Sequence, residues 1–165
     1  LYDVTVDSFL NALNADELIS DITENIVPTI ASHVGQQISP EKTAIIGASM
    51  GGLASMYATI QRPDFFHTSL AFSPHWVIGG DALAKSMMND FPAPGKHKLW
   101  MSRGTKGLDA LYEGSQDLAD TIIKSRGYVE NQNLITRVLN RGAHSNATWA
   151  HYAPAALDFW LREAR

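Results

Sequence analysis

Ser49 stands two residues after Gly47 and two before Gly51, in the stretch "IIGASMGGL" (residues 45–53), where an apolar β-rich run gives way to small helix formers. A serine alcohol is a weak nucleophile. It attacks a carbonyl only with a base in hydrogen-bond reach and a group that orients that base. It must also be exposed, and a tight strand-to-helix turn meets that need. The hydroxyl then projects from the end of the sheet, and the next amide, Met50 N–H, points towards the oxyanion that develops on attack. Such a turn strains the serine backbone by about 1–3 kcal/mol. It also brings strand and helix so close that a β-carbon at Gly47 or Gly51 is expected to collide. The helix N-terminus adds a field that favours negative charge. Roughly 5% of chains this long would carry Gly-x-Ser-x-Gly by chance, so the strand before it and the helix after it carry the inference. A phosphate loop does not fit, because no Gly-Lys-Ser/Thr follows and no Gly-x-Gly-x-x-Gly spacing is present. An inert serine in a glycine-rich turn is the plain alternative, and it leaves the paired glycines unexplained.

The base is expected to be one of six histidines. His33 lies in the first helical region, His67 at a strand start, His97 in a solvated "KHK" and His151 inside the last helix, all places for structural or surface residues. His75 follows Ser73-Pro74 at a strand end and is placed to line a pocket. His144, in "NRGAHSNATW", follows the fourth strand on a loop that returns over the same rim as Ser49. If the order is serine, acid, histidine, the acid lies between residues 49 and 144. The loop after the third strand offers Asp109, with Glu113 and Asp117 further on in the next helix, where solvation accounts for them equally well. No His-Glu-x-x-His and no ligand-spaced cluster of histidines and carboxylates supports a metal.

These residues need elements to carry them. Helical spacing runs over about 7–34, through Phe9, Leu10, Leu13, Leu18, Ile19, Ile22, Ile26, Ile30 and Val34, with Pro28 expected to kink or divide it and Gly35 to stop it. "TAIIGAS" has the form of a strand buried on both faces, followed by a helix from Met50 to about Gln61. Further strands are expected at 67–74, 97–104 and 134–140, and helices at 80–89, 112–126 and from Thr148 to about Glu163. The last carries Trp149, Tyr152, Ala156, Phe159 and Trp160 as its apolar stripe. Strands alternating with helices predict right-handed crossovers and a parallel sheet with helices on both faces. In such sheets functional groups gather at the carboxyl ends of the strands.

With 165 residues, 45% of them hydrophobic and 18% charged, the chain is expected to fold as a single domain over residues 1–165. A net charge of −4 without a basic block argues against nucleic acid and anionic membrane as partners. No apolar run approaches the roughly 20 residues that span a bilayer. The absence of cysteine removes disulfides, thiolate metal sites and a cysteine nucleophile, and leaves the compartment open between periplasm or exterior and cytosol.

With these pieces in place, the chain resembles the esterase group of α/β-hydrolases that holds enterochelin-type siderophore esterases, S-formylglutathione hydrolases, feruloyl and acetylxylan esterases and mycolyltransferases. The matching segments are "ENIVPTI", "IIGASMGGLASMYATIQRPDFF", "LAFSPHW", "SRGTKGLDALYEG" and "RGAHSNATWAHYAPAALDFW", in the family's order over most of residues 24–160. The resemblance implies Ser49 as nucleophile, Asp109 as acid and His144 as base, with no cofactor. Trp76 and Trp149 look like aromatics of the pocket or its support, plain core packing being the alternative. One departure stands out. The family's sheet has about eight strands, and this chain begins where the amino-terminal half should end, so only the carboxyl-terminal half, about four strands, is expected. The loop that supplies a second oxyanion amide is missing, a donor worth about 10²- to 10³-fold in rate, and the strand bearing Ser49 becomes a sheet edge open to pairing. A fragment whose partner is its own amino-terminal segment, or a homo-oligomer, is the expectation.

Hydrolysis of a small-molecule ester is the leading functional expectation, with activity falling below about pH 6 as the base becomes protonated. Acyl transfer by the same three residues and a non-catalytic binding module on the hydrolase scaffold are the rivals.

Overall fold

The computed structural model describes residues 14–162; Phe9, Leu10 and Leu13 of the expected first stripe lie outside them. Helix α1 (Ala15–Asp21) runs into a single π turn (Ile22–Ile26) and then helix α2 (Val27–Val34). Pro28 sits in the first turn of α2, directly after the π turn, where its missing N–H is tolerated. It divides the expected helix as a wide turn rather than a sharp kink. Gly35 ends α2 in the left-handed conformation, with φ 67°.

Four strands follow: β1 (Ala44–Ala48), β2 (Thr68–Phe72), β3 (Lys98–Lys106) and β4 (Leu134–Ala143). They form one sheet in the order β1-β2-β3-β4, every neighbouring pair parallel. Helices α3 (Met50–Gln61), α4 (Gly80–Asp90) and α5 (Glu113–Ser125) make the three crossovers, and α6 (Asn146–Leu161) follows β4. Because the strands advance across the sheet in one direction, right-handed crossovers place α3, α4 and α5 on one face.

Side-chain alternation confirms the layers. Ala71, Leu99, Met101 and Leu134 face a core with Leu53, Met56, Met87 and Ile123 from the crossover helices. Leu70, Phe72, Trp100 and Ile135, of opposite parity, pack on Tyr152, Ala156 and Phe159 of α6. This is the expected parallel sheet flanked by helices on both faces, with four strands among the described residues.

Three expectations change. β1 is not buried on both faces: among the described residues it is an outer strand of the sheet, and Ile46 is 50% exposed. β3 and β4 run longer than their apolar cores, to Lys106 and Ala143, with a register shift between Gly104 and Lys106. His97 is buried rather than solvated, with Nδ1 3.1 Å from the Ala93 carbonyl and Nε2 3.0 Å from that of Pro63. Among the described residues no helix is long and apolar enough to cross a membrane.

Candidate active site

The carboxyl ends of all four strands contribute. Ser49 joins β1 to α3 with φ 58° and ψ −121°, a strained combination for a residue with a β-carbon. The turn is tied down on both sides. Ser49 N–H donates to the Phe72 carbonyl at 2.9 Å, and its carbonyl accepts from Gly52 N–H at 3.0 Å and His75 N–H at 3.3 Å. A β-carbon at Gly47 would lie 2.0 Å from the Gly51 carbonyl oxygen, so only glycine allows this approach. Gly51 itself is not crowded, since a β-carbon there would meet nothing within 4 Å. The expected collision is thus one-sided, with Gly51 supplying backbone to it rather than a missing side chain. Met50 heads α3, so its amide has no acceptor within the helix.

His144 follows β4 immediately, and Ser145 caps α6 by accepting from Thr148 N–H. The imidazole is thereby held between a strand end and a helix start. Its Nε2 lies 2.8 Å from Ser49 Oγ and its Nδ1 2.6 Å from Asp109 Oδ1. Asp109 lies in a 3-10 turn (Gly107–Tyr112) after β3 and is fully buried. Its Oδ2 accepts from Gly104 N–H at 2.6 Å and Ser73 O–H at 2.7 Å. The buried carboxylate is therefore paired on both oxygens, as a buried charge must be. Ser49, Asp109 and His144, which the spacing proposed from three separate loops, form one hydrogen-bonded row. Glu113 instead pairs with Arg103 at the start of α5, 3.0 Å away.

The remaining expected residues divide. Trp76 is completely buried, its indole N–H donating to Gln116 Oε1 at 2.9 Å, so it belongs to the core and not to a substrate surface. A tryptophan just after a strand end fits either place, and its partner 40 residues away carries no local signal. Trp149 is half-buried and stands edge-on to the His144 ring with centroids 5.1 Å apart; its N–H donates to Ser73 Oγ at 3.1 Å. It walls the imidazole and, through Ser73, braces the acid.

His75 is half-buried beside the row, its ring centroid 6.1 Å from that of His144. Its Nδ1 lies 2.6 Å from the hydroxyl of Tyr112, a fully buried residue that sequence reasoning missed. Burial, and secondarily the Asp109 carboxylate, push the Tyr112 phenol up, so it keeps its proton. Burial, and then the neighbouring His144, hold His75 below the ordinary histidine range. Ser73, with φ 43°, was missed as well. Its only sequence signal was the Ser-Pro that ends the second apolar run.

Chemically, the row can draw a proton from the Ser49 hydroxyl and hold it on an imidazole oriented by a buried carboxylate. Among the described residues no group of three or more histidine, aspartate or glutamate side chains is arranged to hold a metal ion.

Comparison with known proteins agrees with this architecture. An uncharacterized protein, YbbA of Bacillus subtilis (strain 168), is 30% identical over 89 residues, 53% of this chain and 34% of that protein. The enterobactin esterase FES of Shigella flexneri, solved with 2,3-dihydroxy-N-benzoyl-glycine, superposes with a TM-score of 0.69 at 15% identity, over 95% of this chain and 42% of FES. A feruloyl esterase module from Clostridium thermocellum superposes with a TM-score of 0.68 at 15% identity, over 92% of this chain and 61% of that one. The chain thus spans about a third of its curated relative and less than half of FES. The profile of the family described as "Putative esterase" matches residues 11–158, and the chain belongs to that family.

Proposed function

We propose that this chain carries the reacting residues of a serine esterase. Ser49 Oγ attacks the carbonyl carbon of an ester while His144 Nε2 takes the hydroxyl proton. Asp109 holds the resulting imidazolium through its Nδ1–H. The oxyanion forms beside the Met50 amide, at the positive end of α3. Collapse of the tetrahedral species breaks the ester C–O bond, and His144 returns its proton to the departing alcohol oxygen. An acyl group remains on Ser49. Water, deprotonated by His144, attacks that acyl carbon and releases the carboxylic acid and the serine hydroxyl. No redox partner or cofactor enters the balance.

The observation that carries this reading is the His144 ring, which reaches Ser49 Oγ with one nitrogen at 2.8 Å and a fully buried carboxylate with the other at 2.6 Å. A serine that merely filled a turn would have no use for that arrangement. Family membership and the folds of the esterases it superposes on support the same chemistry. Fluorophosphonate labelling is the direct test. The protein is expected to take up one equivalent on Ser49 and to lose it in Ser49→Ala, with an unchanged circular dichroism spectrum. Equal labelling of Ser49→Ala, or no ester turnover by a protein that contains this chain, would remove the assignment.

A further inference from the structure

The protons around Tyr112 can be counted, and the count fixes the state of a second histidine. Asp109 is a carboxylate with Oδ2 already accepting from Gly104 N–H and Ser73 O–H. Its Oδ1 lies 2.6 Å from His144 Nδ1, so that nitrogen carries a proton and donates. Tyr112 O lies 3.5 Å from the same Nδ1 and can only accept from it, weakly. The phenol proton is fully buried and must go elsewhere. Among the described residues the other nitrogen within reach is His75 Nδ1, 2.6 Å away. His75 Nδ1 is therefore an acceptor with no proton of its own, and the ring's proton sits on Nε2. Among the described residues Nε2 has no hydrogen-bond partner, and it is not a buried orphan. His75 is half-buried, and its backbone is pinned to the Ser49 carbonyl at 3.3 Å. The half-buried ring thus stands beside His144 with one N–H that no described residue accepts.

We propose that Tyr112 locks His75 as a neutral ring protonated on Nε2, and that this N–H donates to an acceptor oxygen carried by the alcohol portion of the ester. This rests on the serine-esterase reading above. The side follows from the neighbours. His75 packs beside the His144 ring, with centroids 6.1 Å apart, and His144 delivers its proton to the leaving oxygen. A donor next to that imidazole meets the leaving group, whereas the oxyanion faces the start of α3. The substrate class is then esters of alcohols bearing a second oxygen within a few bonds of the scissile one, in preference to plain alkyl esters. A ring free to change tautomer would present a donor only part of the time. The buried phenol keeps it a donor at all times, as preorganisation for recognition requires.

Two measurements test this. The first needs no activity. In a two-bond proton–nitrogen correlation spectrum at pH 7, His75 is expected to show a pyridine-type Nδ1 and a pyrrole-type Nε2, and Tyr112→Phe is expected to blur that distinction. A protonated Nδ1 on His75 would overturn the proposal. The second compares n-butyl and 2-methoxyethyl esters of one acid, which differ by a single CH2-to-O exchange, each normalised to its alkaline hydrolysis rate. The wild type is expected to favour the ether by roughly 3- to 10-fold in kcat/KM, about what one neutral hydrogen bond is worth. His75→Phe is expected to bring the ratio close to one, and His75→Gln, which restores an N–H, to recover part of it. A ratio that His75→Phe leaves unchanged would overturn the inference while the esterase reading stands. So would a dependence on His75 that appears only when the ether oxygen is moved to the acyl chain. If neither ester is cleaved in a Ser49-dependent way, the esterase reading fails and this inference falls with it.

Discussion

Asp109 is the residue at which charge, tautomer and folding meet. One oxygen orients His144 and the other closes two donors, Gly104 N–H and Ser73 O–H. Asp109→Asn cannot satisfy all three. With its NH2 towards His144, the imidazole must accept on Nδ1 and carry its proton on Nε2, facing Ser49, so it cannot act as a base. With its NH2 towards Gly104, the buried Gly104 N–H opposes it and the Ser73 hydroxyl must turn from donor to acceptor, at about 1–3 kcal/mol. Asp109→Asn is therefore expected to lower kcat/KM by about 10³- to 10⁴-fold and to slow fluorophosphonate labelling in parallel, as stopped assays on purified protein would read. At this scale the sequence was legible where local spacing carried a role. Gly47 and Gly51 marked Ser49, and the loops after the third and fourth strands marked Asp109 and His144. Tyr112 and Ser73 were not legible, because a buried hydroxyl's role is set by partners 37 and 36 residues away. Trp76 misled for the same reason, and His97 because flanking lysines say nothing about two backbone carbonyls that close over the ring.

The junction of β1 and α3 is the element on which the nucleophile depends. Its two glycines are not equivalent. Gly47→Ala drives a β-carbon to 2.0 Å from the Gly51 carbonyl oxygen, a backbone atom with no side chain to swing away. That variant is expected to lose at least about 2 kcal/mol of stability and to lose labelling at Ser49 as the turn opens. Gly51→Ala places a β-carbon in open space within the first turn of α3. Alanine is the better helix former, so it is expected to be neutral or stabilising by up to about 1 kcal/mol. Paired thermal melts decide the matter, and equal losses in both variants would contradict this geometry. The elements themselves were legible because apolar periodicity and helix stops are local. Their ends were not. β3 and β4 extend past their apolar cores through charged and small residues, held by pairing between strands that periodicity cannot register. The π turn before Pro28 likewise has no pattern of its own.

For the whole molecule, the consequential feature is the flank of the sheet at β1. Among the described residues β1 pairs on one side only, with β2. Ala44 and Ala48 pack partly against the α6 core, and Ile46 between them shares their face but is 50% exposed. Along α1, the π turn and α2, Leu18, Ile26, Ile30 and Val34 are exposed as well, at spacings of four or eight residues. An unpaired strand edge beside uncovered apolar surface pairs with another chain in water. A chain of residues 1–165 on its own is therefore expected to self-associate, with a sedimentation coefficient that rises with concentration. Ile46→Lys places a charge on the open edge, where it disfavours strand addition and, at a half-exposed site, changes stability by no more than about 0.5 kcal/mol. It is expected to shift the distribution towards monomer at every point of a dilution series while leaving the melting temperature in place. If Ile46→Lys sediments like the unaltered chain, association does not run through this edge. If the unaltered chain stays monomeric at every concentration, the flank is closed in solution by a contact other than a second copy, and the apolar face of β1 is then a buried one.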